Sequence, residues 1–318
     1  MKKIILLPII LGSALLVAGG VIFAIAVANS TNSSNVTTKT HKLDDKEFTN
    51  FDISLDTTDV EFKVSSDGSK KLVFSDTEKN HHTYKVENNT LIIKQVDERH
   101  WYEKIMDFSQ LSMKVSIYLP ADNYENLKIK ASTSDVKIPH DFSFVDANIN
   151  LSTGDTTFNA NVSNSINFVS STGDYHLNDL TAKTIKLESD TGKMYLNKVN
   201  VEEDITLSIH TGDANLTTVR AKNLNITTST GKINLVDVVM SEKMTLTTDT
   251  GDVKFDRCDA SSLSATTHTG DVTGSLLTSK TIFFSSNTGK NYSPQVIAEG
   301  RFDIKTHTGD ANIQFLDR

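Results

Sequence analysis

The chain has 318 residues, with 32 Lys and Arg against 40 Asp and Glu, a formal net charge of -8, four prolines and one cysteine. An acidic chain is a poor partner for nucleic-acid phosphates. The lone Cys258 excludes an internal disulfide framework and a thiolate zinc site, so stability must come from stacking and core burial.

Lys2 and Lys3 precede an apolar run from Ile4 to Val27, broken only by Pro8, Ser13 and glycines. About 20 such residues span a bilayer as a helix, and flanking lysines favour the cytoplasmic side. Residues 1–28 are therefore expected to form a transmembrane anchor, making this a single-pass protein of the cell membrane with an extracytoplasmic C-terminal domain. The competing reading is a cleaved signal peptide, with Ala26-Val27-Ala28 as the cleavage site. Residues 29–45 (NSTNSSNVTTKTHKLDD) are polar and predict a flexible linker.

Residues 46–130 contain alternating runs that read as strands: KLVFSD (71–76), TLIIKQV (90–96) and MKVSIYLP (113–120). They predict an N-terminal β-rich section that starts and caps the repeat region. The segment DERHWYEKIMDF (97–108) breaks the pattern and carries the only tryptophan. Its aromatics read as a lid over the open end of a repeat stack. Alternatively Arg99, His100, Trp101 and Tyr102 form an exposed interaction loop for lipid headgroups, glycan or a partner.

Over residues 131–318, Thr-Gly recurs at Gly154, Gly173, Gly192, Gly212, Gly231, Gly251, Gly270, Gly289 and Gly309, spaced 19 or 20 apart. These glycines read as structural turn residues. Aligned on them, apolar columns appear. Seven residues before the glycine stand Ile166, Ile185, Ile205, Leu224, Met244, Leu263, Ile282 and Phe302; five before it stand Phe168, Leu187, Leu207, Ile226, Leu246, Ala265, Phe284 and Ile304. Apolar positions two apart are strands with one face inward. The prediction is an all-β, single-stranded β-helix (β-solenoid) with coils of 19–20 residues stacked about 4.8 Å apart. Ser134 and Thr58 occupy the glycine position of two degenerate upstream coils.

The membrane anchor, the strand-rich start, the strands YKVENNTLIIKQ and MKVSIYLP, and the serial STGD, DTGK and HTGD turns resemble the bacterial putative-adhesin family, which includes LiaG-like and YvlB-like envelope proteins. The resemblance covers about residues 46–318. It implies a β-helix at the cell envelope in a family of undefined activity, with no catalytic residues to carry over.

The residue after each glycine forms a ladder: Asp155, Asp174, Lys193, Asp213, Lys232, Asp252, Asp271, Lys290 and Asp310. Turn chemistry and charge interleaving explain it, since like charges about 4.8 Å apart in water repel by roughly 0.9 kcal/mol. The functional alternative is a cation site at the adjacent acids Asp155/Asp174 or Asp252/Asp271. His210, His268 and His307 share a column two before the glycine, expected to stand about 14 and 10 Å apart, too far for one metal. Cys258 falls in an apolar column and reads as core. The last turn, HTGDANIQFLDR, reads as an uncovered end blocked by Asp317 and Arg318, or alternatively as an end that meets another molecule.

The sequence thus predicts a non-enzymatic structural or interaction protein without cofactor, contacting the membrane through its helix and envelope glycan or protein through its domain. The alternatives are a cation or ligand sensor, using the Asp ladder or residues 97–108, and a polysaccharide-active β-helix enzyme.

Overall fold

The computed structural model describes residues 36–101 and 113–316. These form 24 strands hydrogen-bonded into one continuous sheet wound as a β-solenoid. The expected columns are the stacking registers: Ile166 pairs with Ile185, Ile185 with Ile205, Ile205 with Leu224, and Leu224 with Met244, all in parallel.

Each coil has three faces. In Tyr175–Thr191 the buried positions are 175, 177, 180, 182, 185, 187 and 189, so the alternation slips at 178–179 and again at 183–184. Each slip turns a corner, and the Thr-Gly-Asp turn is the third. The corner at 178–179 uses a residue in the left-handed region six after the glycine: Asp179, Lys198, Thr218, Asp237 and Arg257, with φ between 53° and 56°.

The nine repeat glycines all sit at the third corner, where two backbones meet. A Cβ there would lie 2.0 Å from a carbonyl oxygen of the neighbouring coil at Gly154, Gly192, Gly270 and Gly309. The gap would be 1.9 Å at Gly173, Gly251 and Gly289, and 1.8 Å at Gly212 and Gly231. No side chain fits at these positions. The reason is this close approach in addition to the turn's own conformation, such as φ 132° at Gly154.

Both ends depart from chain order. The Thr58 coil (Asn50–Ser54 and Thr58–Val64) stacks directly on the Ser134 coil, pairing Phe51 with Leu127 and Val60 with Val136. The intervening chain returns to cover the other side. Thr90–Asp97 and Met113–Leu119 pair in parallel with the Thr58 coil. Beyond them Asn80–Glu87 and Lys71–Asp76 run antiparallel; Asn80–Glu87 is one edge, and Thr37–Lys42, paired outside Lys71–Asp76, is the other. At the C-terminal end, Gly300–Thr308 inserts between Ser262–Thr269 and Lys280–Ser285. The Gly309 coil therefore lies inside the stack, and the Gly289 coil ends it.

Four expectations change. The linker ends earlier than residue 45, because Thr37–Lys42 pairs along its whole length with Lys71–Asp76 and Leu43 is fully buried. Residues 97–101 do not lid the stack: they leave an inner coil that has further strands outside it, and residues 102–108 lie outside the described residues. The C-terminal end is not the last turn in sequence, and its expected blockers Asp317 and Arg318 lie outside the described residues. The single-pass membrane location is also corrected. Among the described residues no helix is long and apolar enough to cross a membrane, and the apolar runs there are strands that turn one face to the solenoid core. The run 4–27 that suggested an anchor lies outside the described residues.

The core runs the length of the solenoid. Near the N-terminal end it is aromatic: Phe51 packs edge-on against Phe62, Tyr124 and Phe144 at centroid distances of 5.3, 5.2 and 6.2 Å. Further along, Leu, Ile and Met fill the columns.

Candidate functional site

The ladder at the glycine corner is a chain of charge-assisted hydrogen bonds. Asp155 Oδ1 accepts the Asp174 N–H at 2.8 Å, and Asp174 Oδ1 accepts that of Lys193 at 2.7 Å. The same bond joins Asp59 to Asp135, Asp135 to Asp155 and Asp213 to Lys232. At the far end it joins Asp252 to Asp271, Asp271 to Asp310 and Asp310 to Lys290. Spatial order therefore places four acids in succession (59, 135, 155, 174) and three more (252, 271, 310), so the expected interleaving of charge holds only between them. Lys193 and Lys232 reach the acid of the next coil, Asp213 at 3.8 Å and Asp252 at 3.4 Å. Each of Asp155, Asp174, Asp252 and Asp271 commits one oxygen to a backbone N–H. Among the described residues no group of three or more His, Cys, Asp or Glu could hold a metal ion.

The inserted coil also moves the histidines. His268 and His307 lie on adjacent coils, with rings stacked at 4.5 Å and 6°, not two coils apart. Asn287 follows, with Nδ2 2.8 Å from His307 Nδ1. His210 stands three coils away. Cys258 is fully buried, and burial pushes its thiol up to about 11, which leaves no thiolate for nucleophilic chemistry. Arg99 forms a fork with Asp97 at 2.8 and 2.9 Å, next to His100 and an exposed Trp101. Tyr102 lies outside the described residues.

The face before the glycine corner is a mostly polar lattice of Ser, Thr and Asn, broken by Val169 and by the charged pair Lys186 and Glu188. Four before the glycine stand Asn150, Val169, Glu188, Ser208, Thr227, Thr247 and Thr266; six before it stand Asn148, Asn167, Lys186, Thr206, Asn225, Thr245 and Ser264. All alternate with buried core positions, so they point outward. A shallow groove of about 340 Å³ crosses four coils of this face, lined by Ser171, Glu188, Asp190, Ser208, His210, Thr227 and neighbours. Lys186 Nζ holds Glu188 at 2.7 Å along one side. The groove offers hydroxyls, two carboxylates and an imidazole at the coil spacing, which suits a polar chain laid across the strands.

A buried polar cluster escaped sequence reasoning. His82 Nδ1 lies 2.7 Å from Asp76 Oδ1, and Asp76 Oδ1 also accepts the His82 backbone N–H at 3.1 Å. The Thr58 hydroxyl lies 3.1 Å from both His82 Nε2 and Gln95 Oε1. Gln95 Oε1 in turn accepts the N–H groups of Asp56 and Thr57 at 2.7 and 3.0 Å. Lys39 Nζ lies 3.4 Å from the second Asp76 oxygen. Burial lowers the His82 pKa, against the pull of Asp76. The carboxylate–imidazole–hydroxyl order matches that of hydrolytic triads, yet Thr58, Asp76 and His82 are 0, 1 and 6% exposed. No substrate reaches them, and the cluster ties the antiparallel cap to the first parallel coils. The readable signal was phase: Asp76 continues the buried alternation of Leu72 and Phe74.

No curated protein matches the chain. Among solved structures it is similar to a "putative adhesin" from Bacteroides fragilis, with 15% identity, 89% of this chain and 98% of that chain covered, and a TM-score of 0.42. It is similar to another "putative adhesin", from Parabacteroides merdae, with 13% identity, 89% and 97% covered, and a TM-score of 0.41. A "putative lipid binding protein" from Parabacteroides distasonis gives 12% identity, 88% and 98% covered, and a TM-score of 0.42. The family model described as Toastrack DUF4097 matches residues 48–314, so the resemblance read from the repeat is borne out and the chain belongs to that family.

Proposed function

We propose that this protein is a non-enzymatic, adhesin-like interaction protein that holds an extended polar polymer, an envelope glycan strand, against the face before its glycine corner. The observation that carries this reading is the groove across four coils, lined by Ser171, Glu188, Asp190, Ser208, His210 and Thr227. Its floor is a rigid parallel sheet, so little ordering is required on binding. Its lining positions repeat at about 4.8 Å, so a ligand that spans several coils meets a polar side chain on each of them.

The test is a binding isotherm of the full chain against glycan fragments of increasing length. Affinity should rise with length until the fragment spans four coils, about 19 Å. Ser208→Arg with Thr227→Arg fills the groove from outside the core and should weaken binding at least tenfold with an unchanged melting profile. Unchanged binding by that variant, or no binding to any fragment, sinks the proposal. Release of shortened glycan would replace it with an enzymatic reading.

A further inference from the structure

The Gly289 coil ends the stack. Among the described residues its strand Lys280–Ser285 has one neighbour, Gly300–Thr308, and its other edge is open. An open, apolar edge is a template for pairing. Phe283 is 50% exposed, Tyr292 59% and Ile297 fully exposed, and all three belong to this coil.

These side chains are held in place. Thr281 donates its hydroxyl to the Ala298 carbonyl at 2.9 Å and accepts the Ala298 N–H at 2.9 Å, which fixes Ile297 beside the edge strand. The Arg301 guanidinium lies 4.4 Å from the centroid of the Phe283 ring. Lys280 Nζ reaches Asp259 at 2.8 Å and Thr278 at 2.6 Å, tying the coil to the body of the solenoid. Apolar surface fixed in this way is ready for a partner.

We infer that this end is a dimer interface, in which Lys280–Ser285 pairs antiparallel with the same strand of a second copy across a two-fold axis. Three observations select a second copy as the occupant. Antiparallel pairing of one edge with itself is self-complementary and closes at two. The chain carries -8 overall, yet residues 280–299 contain only Lys280, Lys290 and Glu299, and Lys280 is neutralised by Asp259, so two copies meet here without the repulsion expected elsewhere. Covering the exposed parts of Phe283, Tyr292, Ile297 and their neighbours in both copies removes on the order of 1,000 Å² of surface, the size at which specific interfaces begin. The opposite end fits no such role: its two edge strands are antiparallel and carry charge, Thr37–Lys42 with Lys39 and Lys42, and Asn80–Glu87 with Lys85 and Glu87.

The test is sedimentation of the full chain over a concentration series, in a non-ionic detergent that keeps the run 4–27 from aggregating. The wild type should reach a dimer and stop there. Phe283→Asp with Ile297→Lys should raise the dissociation constant at least tenfold, while Thr40→Asp at the opposite edge should leave it unchanged. Hydrogen exchange guards against misfolding: amides of the Gly270 coil should stay protected in every variant, and those of 280–285 should gain protection with concentration in the wild type alone. A wild type that is monomeric at all concentrations overturns the inference. So does a dimer indifferent to Phe283→Asp with Ile297→Lys, or one lost equally with Thr40→Asp.

Discussion

At the N-terminal end the solenoid closes on two antiparallel strands, Thr37–Lys42 and Asn80–Glu87, whose exposed side chains are polar. At the C-terminal end it stops on a parallel strand, Lys280–Ser285, with Phe283 half exposed. Both ends use one manoeuvre: the chain lays down an outer layer and then returns to fill the place beneath it. The N-terminal end adds a reversal of direction and a buried lock of Asp76, His82, Thr58 and Gln95. The C-terminal end relies on the clamp of Lys280 to Asp259. Reversing the strands and charging the edge protect one end of a stack, and omitting both leaves the other available for contact.

The contrast between the ends can be broken by mutation, and the largest effect is expected at the lock. Asp76→Ala leaves the buried His82 imidazole and its backbone N–H without their acceptor and should cost about 3–5 kcal/mol, read by urea denaturation with a probe in the cap. An effect below about 1 kcal/mol would mean that the cap is held by its aromatic core alone.

The clamp should give less, and locally. Lys280→Ala strands the largely buried Asp259 carboxylate and should cost about 1–3 kcal/mol. Gly300→Val acts on the same clamp by geometry, because a Cβ at Gly300 would lie 2.4 Å from Cδ of Lys280. Both variants should speed hydrogen exchange across 280–299 and leave the cap untouched; cap exchange that accelerates in step would show that the two ends are not independent units.

Between the ends, Asp174→Ala removes the acceptor of the Lys193 N–H and should cost about 1 kcal/mol, seen as a small drop in denaturation midpoint. A gain in stability would show that the run of four acids repels more than its hydrogen bonds hold.

The smallest effect is the pH slope of the lock. Folding lowers the His82 pKa below its ordinary 6.5, so the unfolded chain binds the proton more readily. The stability contributed by neutral His82 is complete above the unfolded value and is lost as pH falls through it toward the lowered folded value. Cap stability should therefore decline from about pH 7 to pH 5, and His82→Gln should flatten that decline. An unchanged slope in the variant would assign the decline to other groups.

The repeat made the coil legible in advance, because a column such as Ile166, Ile185 and Ile205 records which residues face inward and which stack. It did not reveal neighbour order at the ends. The Gly289 and Gly309 coils carry the same turn, and nothing in a period of 19 or 20 says which lies outside. A broken column is the trace of it: four after the glycine stand Phe158, Leu177, Leu196, Leu216, Leu235 and Phe255, then Gly274 and Ser293; Ser293 Oγ accepts the Ile313 N–H, and a Cβ at Gly274 would lie 1.8 Å from the Phe255 carbonyl oxygen. The histidine stack followed from the same order and was missed with it. The groove is a property of outward columns that carry no periodic apolar signal. The lock joins Thr58, Asp76, His82 and Gln95 through an antiparallel return that no repeat marks.

The inserted coil also sets a timetable for synthesis. Residues 280–299 leave the ribosome before residues 300–316, yet they must stack on them. Until the later coil arrives, the Gly270 edge stays open and the outer strand has no platform. A nascent chain halted between the two would display two unsatisfied edges in place of one, an early aggregation hazard that disappears once the inner coil slots in. The fold can zip coil by coil through its middle, but its outermost coil can stack only after the coil that follows it in sequence has docked.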